Sequence, residues 1–113
     1  MIPFLQLTPG EDAAAVNDAI ARVVQRGWFV LGPEVSAFEQ EFAAATGARF
    51  AVGVGTGTDA LSIGLRAMGI EPGDEVITSP LSAAYTALAI VTAGARPVFA
   101  DIDPDRFTLD PRA

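Results

Sequence analysis

The residues best suited to chemistry lie in one short run, Gly53-Val54-Gly55-Thr56-Gly57-Thr58-Asp59-Ala60. Glycines lack a Cβ, so the main chain can approach an anion closely. If a helix starts here, the unpaired N–H groups of its first turn point at that anion, and the helix dipole favours negative charge there. Thr56 and Thr58 add hydroxyl donors. Together these features describe a phosphate cradle. The competing reading is a tight strand-to-helix turn with Thr58 or Asp59 as the helix cap, and residue types alone leave the two level. Gly55-Thr56-Gly57-Thr58-Asp59-Ala60 also fits the G-x-G-x-x-A dinucleotide fingerprint. That fingerprint requires a carboxylate at the end of the next strand, to hold a ribose. The next strand ends Ile77-Thr78-Ser79-Pro80 and offers none, so a dinucleotide is disfavoured. A Walker loop needs a lysine and is excluded.

A second junction, Ser79-Pro80-Leu81-Ser82-Ala83-Ala84-Tyr85-Thr86, falls at the same carboxyl edge of the expected sheet, where open α/β sheets bind ligands. Tyr85, the only tyrosine, could stack on a planar ring there, or simply pack in the first helical turn. Absences narrow the chemistry further. The chain has no His and no Cys, which removes imidazole and thiolate metal ligands, Ser-His-Asp triads and thiol nucleophiles; no metal site is expected. All seven basic residues are arginine, so no side chain can form a Schiff base. A net charge of −7 argues against a nucleic-acid partner.

The elements that must carry these junctions can be read from periodicity. Thr8-Pro9-Gly10-Glu11 has capping-box spacing and predicts a helix to about Arg26, with Val16, Ile20, Val23 and Val24 on one face and Gly27 as its stop. Gly27–Pro33 is a turn, unusually apolar for a loop. A second helix runs from Pro33 to Thr46, with Val35, Phe38, Phe42 and Ala45 inward and Glu34, Glu39 and Glu41 on the wet side; Gly47 ends it. The pattern then changes to a strand over Phe50–Val54, a helix over Thr58–Met68 with Leu61, Leu65 and Met68 inward and Gly69 as cap, a strand over Glu75–Thr78, a helix over Ser82–Ala93, and a strand over Pro97–Ala100. Apolar strands alternating with helices mean a parallel sheet with crossover helices, an α/β fold. Val76–Ala95 holds twenty uncharged residues, but Pro80, Gly94 and several hydroxyls make it strand, turn and helix, so no membrane partner is expected. The expected sheet has three strands and no finishing element, which reads as the amino-terminal piece of a larger protein. A small complete α/β binding module is the alternative.

Several segments, in order, resemble the DegT/DnrJ/StrS-like sugar aminotransferases, a group of fold-type I pyridoxal-phosphate enzymes. They are Ile2-Pro3-Phe4, Gly27-Trp28-Phe29-Val30-Leu31-Gly32-Pro33-Glu34-Val35 followed by Phe38-Glu39, Gly57-Thr58-Asp59-Ala60-Leu61, Gly73-Asp74-Glu75-Val76-Ile77, and Gly94-Ala95-Arg96-Pro97-Val98-Phe99-Ala100-Asp101-Ile102-Asp103. The resemblance implies the first part of an aspartate-aminotransferase-like large domain, with two leading helices and then β-α-β-α-β. Residues 1–47 would form the helical lead-in and residues 48–113 the incomplete start of the cofactor-binding domain.

It also implies a function. Members transfer an amino group from an amino-acid donor to a keto sugar carried on a nucleotide, with pyridoxal 5'-phosphate, as cytoplasmic homodimers that make amino sugars. Gly57 and Thr58 match the phosphate-binding pair, and Asp59 would add its backbone N–H. Trp28 matches a segment near the substrate and the dimer partner. The ring-stacking aromatic of the family falls on Ala83, and Tyr85 would replace it from a shifted position. The lysine that bonds the cofactor and the aspartate that holds its ring nitrogen would lie beyond this chain, leaving the chain inactive alone. Asp101, Asp103 and Asp105 read as strand-end and turn residues. A sugar dehydratase of the same family is the enzymatic alternative.

Overall fold

Gly27 and Gly47 divide the first part of the chain where the sequence expects it. In the computed structural model, which describes residues 10–113, helix α1 spans Ala13–Arg26 and helix α2 spans Pro33–Thr46. Both glycines are left-handed, with φ of 66° and 71°, and their N–H groups reach back to carbonyls of the last helical turn. A Cβ is strained at such angles, so glycine is the residue for these stops. Thr8 and Pro9, half of the expected capping box, lie outside the described residues, as does Ile2-Pro3-Phe4. Asp12 takes the N-cap position of α1 without a side-chain capping bond. Pro33 opens α2, where its missing N–H costs nothing.

The described chain forms two compact units, the first ending at Gly53 and the second spanning Val54–Ala113. In the first, charge ties the helices: Glu34 at the start of α2 accepts from Arg22 Nε at 2.8 Å and pairs with Arg26 at 3.4 Å. The expected inward faces are largely open. Ile20, Val24, Phe38 and Phe42 are exposed, and Ala43 is the buried residue of α2. The amphipathic pattern is present, but the described residues of the unit supply no layer to cover it.

The second unit is a βαβ crossover preceded by a helix. Helix α3 spans Gly57–Ala67, strand β1 Glu75–Thr78, helix α4 Tyr85–Ala93 and strand β2 Arg96–Phe99. The strands are parallel neighbours, with Glu75 opposite Arg96 and Thr78 opposite Phe99. The side chains of Arg96 and Glu75 form an ion pair across them. Helix α4 is apolar nearly all round. Its small residues Ala89 and Ala93 are buried with Ile90 and Ala95, and they form the core of this unit. Arg66 of α3 donates to the Thr92 carbonyl of α4, which joins the two helices. Gly94 (φ 97°) ends α4 over Pro72. Beyond β2, Asp103 Oδ1 accepts from the N–H groups of Asp105 and Arg106, and Ile102 bridges to Leu109. These acidic residues therefore build turns.

Three expectations need correction. Residues 50–54 form no strand, and among the described residues the sheet has two strands rather than three. A strand exists through its neighbour's hydrogen bonds, and no neighbour lies along this segment among the described residues. Met68 does not point inward; it caps α3 and is 75% exposed, and Leu61 is also exposed. Helix α4 begins at Tyr85, not Ser82, because the chain bends over residues 80–82 before the helix can start. No helix among the described residues is long and apolar enough to cross a membrane.

Candidate functional site

The anion cradle takes shape at the start of α3. Thr56 is the N-cap, extended at φ −148° and ψ 162°, and its Oγ1 accepts from the Asp59 N–H at 3.1 Å. The same hydroxyl donates to Asp59 Oδ2 at 2.9 Å. The cap is therefore Thr56, not Thr58 or Asp59. Gly55 makes room for this arrangement, since a Cβ there would lie 3.2 Å from Asp59 Oδ2. Gly57 and Thr58 occupy the first two helical positions. Among the described residues, neither of their N–H groups nor the Thr58 hydroxyl has an acceptor or donor partner. Two unpaired N–H groups, a free hydroxyl and a helix dipole converge on one turn, and this donor set suits a phosphate.

The expected Asp59 donor is already engaged. Its N–H is held by Thr56 Oγ1, so the unpaired donors of the turn are those of Gly57 and Thr58.

At the second junction, Ser79, Pro80, Ser82, Ala83, Ala84, Ala87 and Phe99 line a hollow of about 280 Å³ at the carboxyl ends of β1 and β2. Ala83, the position matching the stacking aromatic, is part of this wall. Tyr85 is not; it begins α4 and is 65% exposed. No ring contact or hydrogen bond joins Tyr85 to the Thr56–Asp59 turn among the described residues. Gly57, Thr58 and Asp59 thus share one helical turn, and Tyr85 begins the next helix.

Trp28 belongs to the first unit. It is 59% exposed, and Phe29, Val30 and Leu31 beside it are exposed too. Its indole lies over Gly32, where a Cβ would meet Trp28 Cγ at 3.5 Å and the Trp28 carbonyl oxygen at 3.0 Å. Leu31 adopts a positive φ of 52°, so this apolar turn is held in a conformation that branched or bulky residues rarely take.

Residue-by-residue reading missed two participants. Thr56 was visible as a hydroxyl but not as the cap. Glu39, assigned to the wet side of α2, turns its Oε1 onto the Gly53 N–H at 2.7 Å. No local sequence signal marks a contact between residues fourteen apart.

The sequence profile of the DegT/DnrJ/EryC1/StrS aminotransferase family matches residues 11–113. The chain belongs to that family. Among its relatives, the spore coat polysaccharide biosynthesis protein SpsC of Bacillus subtilis strain 168 is 51% identical over 92 residues, which are 81% of this chain and 24% of that protein. The dTDP-3-amino-3,4,6-trideoxy-alpha-D-glucose transaminase of Streptomyces venezuelae is 46% identical over 97% of this chain and 30% of its own length. The crystal structure of NtdA from Bacillus subtilis with bound cofactor PMP superposes with a TM-score of 0.88 at 33% identity, over 98% of this chain and 26% of that one. The chain therefore spans about a quarter to a third of the length of the family members it matches. The family implies pyridoxal phosphate, and the donor set at the start of α3 fits the phosphate end of that cofactor. The chain contains no lysine to bond it.

Proposed function

We propose that the protein carrying this chain is a pyridoxal-phosphate-dependent aminotransferase that moves an amino group from an amino-acid donor to a keto sugar linked to a nucleotide. The N–H groups of Gly57 and Thr58 at the start of α3, unpaired among the described residues, carry this reading, because they suit a phosphate and lie within the segment that matches the family. The named activity of the Streptomyces venezuelae relative supports the substrate class.

When bound, the cofactor supplies the electron sink for amino transfer. This chain's part is to hold it. The Gly57 and Thr58 N–H groups and the Thr58 hydroxyl grip the phosphate dianion, while Thr56 keeps the helix end rigid through Asp59. The Asp59 N–H joins them if Thr56 Oγ1 shares it. Tyr85 or the alanine-lined hollow with Phe99 receives the ring. Trp28 meets the substrate, and the exposed run Trp28–Leu31 supports a homodimer contact there. Residues 1–47 serve as helical lead-in, and residues 48–113 open the cofactor domain. The absence of cysteine suits a cytoplasmic enzyme, and the chain alone is inactive for want of a lysine.

The test is Thr58→Val in the full-length protein. It keeps the shape and removes one donor to a dianion. A hydrogen bond to a charged group contributes about 1.5–3 kcal/mol, so cofactor affinity falls about tenfold or more with little change in thermal stability. Unchanged cofactor binding with a lowered melt would make Thr58 a structural residue and remove the cradle from the argument.

A further inference from the structure

The cap of α3 sits between two glycines. Gly55 and Gly57 flank Thr56, and glycine accepts a wide range of backbone angles. The Gly57 N–H, a donor of the cradle, belongs to the planar peptide unit that joins Thr56 to Gly57. Its direction therefore follows the backbone of Thr56, set at φ −148° and ψ 162°. Two bonds within this turn hold that residue. Thr56 Oγ1 accepts from the Asp59 N–H at 3.1 Å and donates to Asp59 Oδ2 at 2.9 Å. A capping hydroxyl by itself is a free rotor. Here the carboxylate takes its proton, which turns a lone pair towards the amide. In the usual capping box the acidic side chain reaches the backbone N–H of the cap residue instead. Gly55 gives the carboxylate its place, because a Cβ there would lie 3.2 Å from Asp59 Oδ2.

We propose that the Asp59 side chain is a positioning residue for the cofactor phosphate: by holding the Thr56 hydroxyl, it fixes the peptide unit that presents the Gly57 N–H. This rests on the cradle reading above. Asp59 brings a negative charge into the turn that receives a dianion, and that charge by itself opposes binding. Its service is therefore geometric, and an uncharged acceptor of the same shape performs it as well. Donors that must meet a dianion lose affinity when their position wanders by about an ångström. The ring end of the cofactor does not use this turn and is indifferent to the lock.

The experiment uses the full-length protein, with pyridoxal phosphate and 5'-deoxypyridoxal, which lacks the phosphate, as probes read by their visible absorbance. Asp59→Ala removes the acceptor, Thr56→Val removes the hydroxyl, and Asp59→Asn keeps an acceptor without the charge. For pyridoxal phosphate, the dissociation constant rises about fivefold in Asp59→Ala and in Thr56→Val. The double variant is no weaker than Thr56→Val alone, because both substitutions break the same lock. Asp59→Asn binds at least as tightly as wild type, since it keeps the lock and removes a like charge. For 5'-deoxypyridoxal, every variant stays within about twofold of wild type.

Equal weakening of both probes makes the pair a helix cap alone and overturns the proposal. So does unchanged or tighter binding of pyridoxal phosphate in Asp59→Ala, or an Asp59→Asn as weak as Asp59→Ala. Losses that multiply in the double variant mean that Asp59 acts apart from Thr56, and they overturn it too. If Asp59→Ala does not fold, Thr56→Val and Asp59→Asn decide: a loss confined to pyridoxal phosphate in the first and none in the second supports the role, and any other pattern overturns it. A wild-type protein that binds both probes equally well refutes the cradle itself, and this proposal with it.

Discussion

Excising this chain and studying it alone tests the energetics of the fold most directly. The described residues leave much apolar surface open, including Phe38, Phe42, Phe50 and Val52 in the first unit, and Ile77, Leu88, Val91 and Phe99 in the second. Fully burying a side chain of that size contributes about 1.5–3 kcal/mol, and these side chains forgo most of it. Against this, the buried apolar residues are four alanines and Ile90. Such a core supplies little transfer free energy to offset the entropy of ordering the chain. Among the described residues, the two-stranded sheet also leaves both of its edges unpaired. The isolated chain is expected to melt without cooperativity, to bind an apolar dye, and to elute at sizes that grow with concentration. Calorimetry combined with light scattering over a concentration series measures this. A cooperative, concentration-independent transition of a monomer would refute the reasoning.

Two further perturbations address the first unit within the full-length protein. The hydrogen bond from Arg22, with the charges of Arg22 and Arg26, holds the Glu34 carboxyl below the ordinary carboxylate range. A depressed folded value means that the stabilisation is present above the unfolded value of about 4.3 and is lost as pH falls through the folded one. Glu34→Gln should therefore be less stable than wild type at neutral pH and equal to it in strong acid; a gap that persists in acid contradicts the ion-pair account. Gly32→Ala places a Cβ 3.0 Å from the Trp28 carbonyl oxygen, a backbone atom that yields only if the turn moves. The expected loss is about 1–3 kcal/mol by urea denaturation, and an unchanged midpoint means that the turn relaxes freely.

Helix ends were legible in the sequence because their causes are local. Pro33 opens α2 and Gly47 closes it at the expected residues, since a fixed φ and a left-handed stop belong to single positions. The β1–α4–β2 unit was legible for the same reason: apolar runs and glycine stops mark it within one window of chain. The glycine turn announced its anion chemistry through residue types alone. Its cap did not, because Thr56, Thr58 and Asp59 can all cap a helix; the extended backbone at Thr56 chose one and thereby occupied the Asp59 N–H. Pairing and burial were decided only in three dimensions. Phe50–Val54 has strand composition but no partner among the described residues, and Met68 has core composition but no cover. Phe99 joins Ala83 around one hollow because β2 returns beside β1. Glu39 left the wet face for the Gly53 amide. Hydrogen bonds and burial are made between segments distant in sequence, and periodicity reports which face of an element is apolar, not what comes to lie against it.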